Sequence, residues 1–289
     1  MTRLFLWLIS IPLWAQEYPL NWPVRSSKEL QISSTFGESR FDHFHNGLDI
    51  PGENLKVYPV KEGEICWHHT AFTYPNELPF GGGKTVIICH GRYLSGYMHL
   101  QSLSISALKK KKLSSEESFA LSGNTGHSRS AHLHFFIFDR YESKLINPLL
   151  ILPPQHYQDT LPPRRGRLAV ILDDQAVFVK PDREFRMTKD YPLALEIVDS
   201  GKKTEKWGVY QLAVRGPGGE LLRKIEFDLL YFRNNRWRTK NNLDFQEVYY
   251  ENLYILGNRL RHYNGFTVEA QGFKGPKYEE KFTLKILLQ

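Results

Sequence analysis

The sequence predicts an all-β chain of two units. Three observations point there. Short runs rich in β-branched and aromatic residues recur along residues 31–150 and again along 167–289. Glycine-containing turns separate them, and no long stretch carries apolar residues at helical period. Between the two regions lies a proline-rich joint, Pro153-Pro154 and Leu161-Pro162-Pro163-Arg164-Arg165-Gly166. Proline resists both helix and central strand, so the joint is the expected boundary.

In chain order, Met1 to Gln16 reads as a secretory signal. Arg3 gives a positive start, Leu4 to Trp14 a short apolar run, and Ala15 a small residue for cleavage before Gln16. The run falls short of the roughly 20 apolar residues of a spanning helix, and an uncleaved N-terminal anchor is the alternative. No cysteine follows it, so a lipid-anchored form is not indicated, and no later stretch reaches spanning length. The expectation is an exported protein of the periplasm or cell envelope, or a secreted one. Its parts are a signal at 1–15, a first domain at 16–152 that opens on a lead-in (17–30), a linker at 153–166 and a second domain at 167–289.

In the first domain, Val57–Val60, Glu64–Trp67, Thr85–Cys89 and Leu133–Phe138 read as strands. Gly81-Gly82-Gly83, Gly91 and Gly123-Asn124-Thr125-Gly126 read as turns. In the second, Leu168–Leu172, Ala176–Val179, Leu193–Val198, Tyr210–Val214, Phe266–Ala270 and Lys281–Leu287 alternate or run apolar between turns. That spacing predicts an antiparallel sandwich of immunoglobulin-like shape. Asn241–Tyr254 is expected to include a short helix.

Hydrophobic residues at 41% and aromatics at 13% provide for two cores and exclude disorder over the whole chain. The formal charge of +7, from 38 basic and 31 acidic residues, draws such a protein to anionic surfaces such as wall polymers or lipid headgroups. Nucleic acid is not an expected partner, and Lys109 to Lys112, the densest basic run, reads as a solvated loop. Cys66 and Cys89 each sit in an expected strand, and either a bridge in an exported compartment or two buried thiols suits them.

Nine of the eleven histidines lie between residues 43 and 134. Five residues in that span, four of these histidines and one aspartate, read as one zinc site: His45 and Asp49 in His45-Asn46-Gly47-Leu48-Asp49, His99 in Tyr97-Met98-His99-Leu100, and His132 and His134 in His132-Leu133-His134. Imidazole with carboxylate is the ligand set of a catalytic zinc that keeps one position open. In a strand, His132 and His134 point to one face, roughly 6.6 Å apart along the chain. One then binds metal and the other stands nearby. His45 and Asp49 would lie about 13 Å apart in a straight strand, too far to share an ion. Asn46-Gly47 and Pro51 argue against a helix, which leaves a bend at Gly47. His43, His68 and His69 read as exposed or packing residues, as does His127, for which bordering the groove is the alternative.

Residues 33–149 resemble the lysostaphin-type zinc endopeptidase domain of bacterial cell-wall hydrolases. The resemblance rests on Phe36-Gly37 through Arg40, His45-x-Gly47-x-Asp49-Ile50, Val57-Tyr58-Pro59-Val60 before Gly63, and Lys84–Gly91. It continues through Tyr97-Met98-His99-Leu100, Gly123-Asn124-Thr125-Gly126 and His132-Leu133-His134-Phe135, in the family's order. It implies a small antiparallel sheet with an open groove, zinc held by His45, Asp49 and His134, and His99 and His132 as the two catalytic histidines. It also implies hydrolysis of the peptides that cross-link peptidoglycan, by water activated at the metal and attacking a peptide carbonyl. Two departures stand out. Phe136 occupies a position where the family commonly has glutamate, which removes a polar partner for the ligands. Thr70–Pro79 is longer than the usual turn. The alternative expectation is a lysostaphin-type domain that activates a separate wall hydrolase by contact. A third, an adhesive or polysaccharide-binding β protein, rests on the second half alone.

Overall fold

The structure is a computed structural model. It describes residues 20–25, 30–70, 81–154, 159–180, 185–187, 189–200, 206–263, 265–283 and 286–287. Met1 to Gln16, and the Thr70–Pro79 stretch beyond Thr70, lie outside the described residues. No helix among those described is long and apolar enough to cross a membrane.

The fold is all-β. One eight-stranded antiparallel sheet organises the first half around its longest strand, His132–Asp139. Along one edge this strand pairs with Tyr93–Met98, which leads on to Thr85–His90 and Glu64–His69. Along the other edge, Leu48–Pro51 pairs with its first half and Lys144–Ile146 with its second. Side chains alternate across a strand. Leu133, Phe135 and Ile137 therefore point into a core with Leu48, Ile50, Val86, Ile88 and Tyr97, all buried. His132, His134, Phe136 and Phe138 point to the opposite face. Burying each large apolar side chain is worth about 1.5–3 kcal/mol, so the core face fixes the register and hence where the two histidines emerge.

Two expected strands differ. Val57–Val60 forms a strand only at Lys56–Val57, since Pro59 has no N–H to give a ladder. Lys281–Leu287 is divided: Lys281 and Phe282 end the strand Lys277–Phe282, paired to Phe266–Gln271, and Ile286–Leu287 pairs in parallel with Phe185–Arg186. Tyr93–Met98 escaped the sequence reading because Ser95-Gly96 interrupts its apolar pattern. Its glycine has a packing cause: a β-carbon at Gly96 would overlap the ring of Phe136 on the neighbouring strand. Cys66 and Cys89 are bridged, with Cα atoms 5.8 Å apart, which ties Glu64–His69 to Thr85–His90.

Besides a parallel pair of Phe185–Arg186 with Ile286–Leu287, the described part of the second half contains two larger sheets around a shared core. One orders Gln175–Val179, Arg164–Leu172, Leu193–Ser200, Leu253–Gly257 and Tyr249–Tyr250. The other orders Leu221–Glu226, Gln211–Arg215, Phe266–Gln271 and Lys277–Phe282. Leu168, Leu193 and Leu195 from the first join Leu212, Val214, Phe266 and Val268 from the second in one cluster. The short helix expected within Asn241–Tyr254 is Phe245–Val248, closed by a capping box between Asp244 and Glu247.

The two halves are joined by more than the proline-rich joint. Leu229–Arg233 and Arg236–Thr239 form a hairpin whose first strand pairs with Lys144–Ile146, so the second half extends the sheet of the first. Asn234 and Asn235 at its tip both have positive φ, 51° and 58°, as a two-residue turn between twisted strands requires. Phe36, Phe44 and Leu145 from the first half are buried in the core of the second. Phe136 and Phe138, on the histidine-bearing face, pack against that same core.

Candidate metal centre

Residues 36–45 form a loop held against itself by backbone hydrogen bonds from Gly37 N–H to His45 O (2.8 Å) and from His45 N–H to Glu38 O (2.7 Å). The chain bends at Gly47 and enters the Leu48–Pro51 strand. Gly47 also allows a close approach: a β-carbon there would lie 2.8 Å from His134 Nε2 and would overlap the carbonyl of Phe135. Asp49 is paired in register with His134, which brings together residues 85 apart in sequence.

His45 Nε2 lies 3.1 Å from Asp49 Oδ1 and 3.1 Å from His134 Nδ1, and His134 Nδ1 lies 2.8 Å from Asp49 Oδ1. These three side chains offer donor atoms all within 4.8 Å of one another, and only 4%, 8% and 7% of the respective residues are exposed. His45 Nδ1 donates to the carbonyl of Thr35 at 2.7 Å, which fixes its tautomer and turns the Nε2 lone pair to the cluster. Burial opposes ionisation of Asp49, yet the charge and hydrogen bonds of His45 and His134 hold its carboxyl well below the usual range. Burial pushes His134 down to about 4, against the pull of Asp49. Its ring is therefore neutral near pH 7, the form that ligates metal. Two imidazoles and a carboxylate, buried and converging, form a donor set suited to zinc.

His99 and His132 stand beside this group, with ring centroids 4.7 Å apart. Their Nδ1 atoms donate to backbone carbonyls, of Thr125 at 2.8 Å and of Ser130 at 2.7 Å. Both Nε2 lone pairs are thereby left free to act, and His132 Nε2 sits 3.6 Å from Asp49 Oδ1. His99 has φ of 60°, a left-handed conformation costing of order 1–3 kcal/mol for a residue with a side chain. Hydrogen bonds from its N–H to Gly82 O and from its ring to Thr125 O hold it there. Burial pushes the His99 imidazole below its ordinary value, opposed by the Thr125 carbonyl.

The five residues line a groove of about 710 Å³, together with Ser34, Arg40, Phe41, Met98, Arg129 and Asn252 among others. Exposed His43 and His127 lie on its rim. His68 is exposed on the Glu64–His69 strand, and His69 hydrogen-bonds the Gly83 carbonyl at 3.1 Å. Neither lines the groove. The Phe136 ring lies 6.3 Å from that of His134. His134 Nε2, buried, has no hydrogen-bond partner. An apolar side chain thus stands where a polar partner of the ligand was expected.

Two functional side chains had no role assigned from sequence. Arg40 Nη2 donates to Asp49 Oδ2 at 3.1 Å, and Arg40 Nη1 to Glu38 Oε2 at 3.2 Å. The only signal for either was its place in the matching stretch Phe36-Gly37 through Arg40.

Residues 43–148 match the model of peptidase family M23, and residues 169–287 match a separate family model. An "Uncharacterized metalloprotease" of Buchnera aphidicola is 29% identical over 129 residues, covering 42% of this chain and 31% of that protein. Peptidoglycan DD-endopeptidase ShyA of Vibrio cholerae is 27% identical over 132 residues, covering 43% of this chain and 27% of that protein. A solved zinc-containing peptidase from Vibrio cholerae is similar over 43% of this chain and 37% of its own, at 27% identity and a TM-score of 0.35. The chain thus spans about a third or less of the length of the curated relatives it matches. M23 peptidases depend on zinc, and the His45–Asp49–His134 group fits that ion.

Proposed function

We propose, from residues 43–148 being a lysostaphin-type domain of peptidase family M23, that the chain hydrolyses peptide cross-links of bacterial peptidoglycan. The observation that carries this reading is the convergence of His45, Asp49 and His134 with His99 and His132 at their side. In this reading His45, Asp49 and His134 hold zinc. When bound, zinc supplies Lewis acidity, polarising a peptide carbonyl and making water acidic near neutral pH.

The chain's own groups do the rest. His99 and His132, each anchored at Nδ1, take up a proton at Nε2 or steady the developing oxyanion. His99 is suited to accept a proton, since burial keeps its ring neutral. The groove between the 36–45 and 127–130 loops admits an extended peptide across both imidazoles. Peptidoglycan as substrate follows from the Vibrio relative's being a peptidoglycan DD-endopeptidase, and export follows from that substrate. The second half, read as an immunoglobulin-like sandwich whose first strand, Arg164–Leu172, already begins within the expected linker at 153–166, serves as an accessory unit. The excess positive charge suits contact with anionic wall polymers or lipid headgroups.

One observation favours a second reading. The unpartnered His134 Nε2 beside Phe136 lacks the support ligands usually receive, which suits a weakly active domain that activates another wall hydrolase. Zinc content per chain, with hydrolysis of purified peptidoglycan before and after chelation, separates the two. One equivalent of zinc and chelator-sensitive release of peptides is expected. Zinc without hydrolysis would move the assignment to the activator.

A further inference from the structure

The second half of the chain reaches the metal ligands through one buried carboxylate. We propose that Glu38 is a positioning residue through which the second half holds the Asp49 carboxylate, an inference that rests on the metal reading above. Glu38 is buried and saturated with donors. Its Oε1 accepts from the backbone N–H and the hydroxyl of Thr35, and from the N–H of Gly208 at 3.0 Å. Its Oε2 accepts from the Ser34 hydroxyl and from Arg40 Nη1. Arg40 in turn donates through Nη2 to Ser34 Oγ at 2.7 Å and to Asp49 Oδ2 at 3.1 Å. Arg40 thus holds Asp49 at Oδ2, while Oδ1 faces His45 Nε2 at 3.1 Å and His134 Nδ1 at 2.8 Å.

Alternating charge explains why both links are needed. Arg40 orients Asp49, but a guanidinium this close to a dication's ligands opposes binding of the ion. Glu38 offsets that charge and fixes the guanidinium in a fork between two carboxylates. Partners of this kind, one shell out from the ligands, are typically worth about 10–100-fold in metal affinity.

Gly208 belongs to the second half, 170 residues from Glu38. It follows the Lys206–Trp207 strand, and Trp207 donates its indole N–H to Ile32 O at 2.8 Å. The next residue, Val209, donates to the hydroxyl oxygen of Tyr254 at 3.0 Å. This segment is therefore anchored on both sides of its contact with Glu38. A β-carbon at Gly208 would lie 2.6 Å from Glu38 Cγ, so even alanine must push the carboxylate.

The test measures zinc dissociation constants on the full chain by competition with a chromogenic chelator, with thermal melts of the metal-free proteins as the fold control. Glu38→Gln, nearly isosteric, should weaken zinc binding about 10–100-fold. Arg40→Gln should weaken it comparably. The double variant should be no worse than Arg40→Gln alone, because Glu38 acts through Arg40. Additive losses would mean that Glu38 merely braces its own loop, and would overturn the proposal. So would a folded Glu38→Gln protein with wild-type affinity. If Glu38→Gln does not fold, Gly208→Ala decides: folded with weakened zinc supports the relay, whereas unchanged affinity or failure to fold assigns Glu38 to the fold alone. Failure of the wild-type chain to bind zinc is a separate result, and would remove the metal reading itself.

Discussion

Cutting the chain after Pro154 should abolish the metal site, although every proposed ligand lies before the cut. Removal of the second half uncovers Phe36, Phe44 and Leu145, which are 2%, 4% and 3% exposed in the intact protein. Phe44 alone loses ring contacts with Phe227, Phe245 and Tyr249 at 5.9, 5.3 and 6.0 Å. At about 1.5–3 kcal/mol per large apolar side chain, these three account for roughly 5–9 kcal/mol. Lost as well are the strand Leu229–Arg233 from the edge of Lys144–Ile146, and the bonds Tyr249 Oη–H to Gly37 O, Trp207 Nε1–H to Ile32 O and Gly208 N–H to Glu38. Each such bond contributes about 1 kcal/mol. Typical domain stability is only about 5–15 kcal/mol, so the losses rival the whole. The measurement is urea unfolding of the 1–154 chain beside the full chain, followed by circular dichroism, with zinc content determined on both. A fragment that unfolds cooperatively at a similar midpoint and keeps one tight zinc would refute the argument, and would return the second half to the role of a detachable module.

Three further outcomes are expected. His45→Ala and Asp49→Ala should each lose stoichiometric zinc on dialysis, and a full equivalent at normal affinity in either variant would displace that residue from the ligand set. His99→Ala and His132→Ala should keep zinc but lose about 100- to 10,000-fold in turnover, and unchanged kcat in a zinc-loaded variant would take that histidine out of the chemistry. Asp199, 1% exposed and with Oδ2 unpartnered, is pushed up to about 7 by burial and then by the charge of Asp159. Its folded form therefore keeps a proton that the unfolded chain releases near pH 4, and stability falls as pH rises between about 4 and 7. The rise from 3.8 to about 7 corresponds to roughly 4 kcal/mol. Asp199→Asn should stabilise the protein at pH 8 and have little effect at pH 4, and a stability difference independent of pH would contradict this.

Much of the site was legible in sequence because its chemistry is carried by rare residue types in short patterns. Strand alternation put His132 and His134 on one face before any coordinates, and the bend at Gly47 was required by the spacing of His45 and Asp49. The close approach of Gly47 to His134 was not, because it depends on a strand 85 residues further along the chain. Phe136 shows the same limit. Its identity was plain as a departure, but its packing against the core of the second half and over Gly96 required the folded chain.

The sequence by itself determined the all-β class, the two regions of strands and the cluster of imidazoles and carboxylate, since period, turn residues and ligand chemistry are local properties. Tertiary structure alone decided how the regions join. Leu229–Arg233 was among no expected strands, and nothing near it in sequence names Lys144–Ile146 as its partner. Glu38 likewise had no expected role, and its contacts with Gly208 and Arg40 exist only in the folded chain. The reason is physical: hydrogen bonding along a strand edge and the burial of a charge are set by what arrives from elsewhere in the chain, and a local pattern carries no record of that.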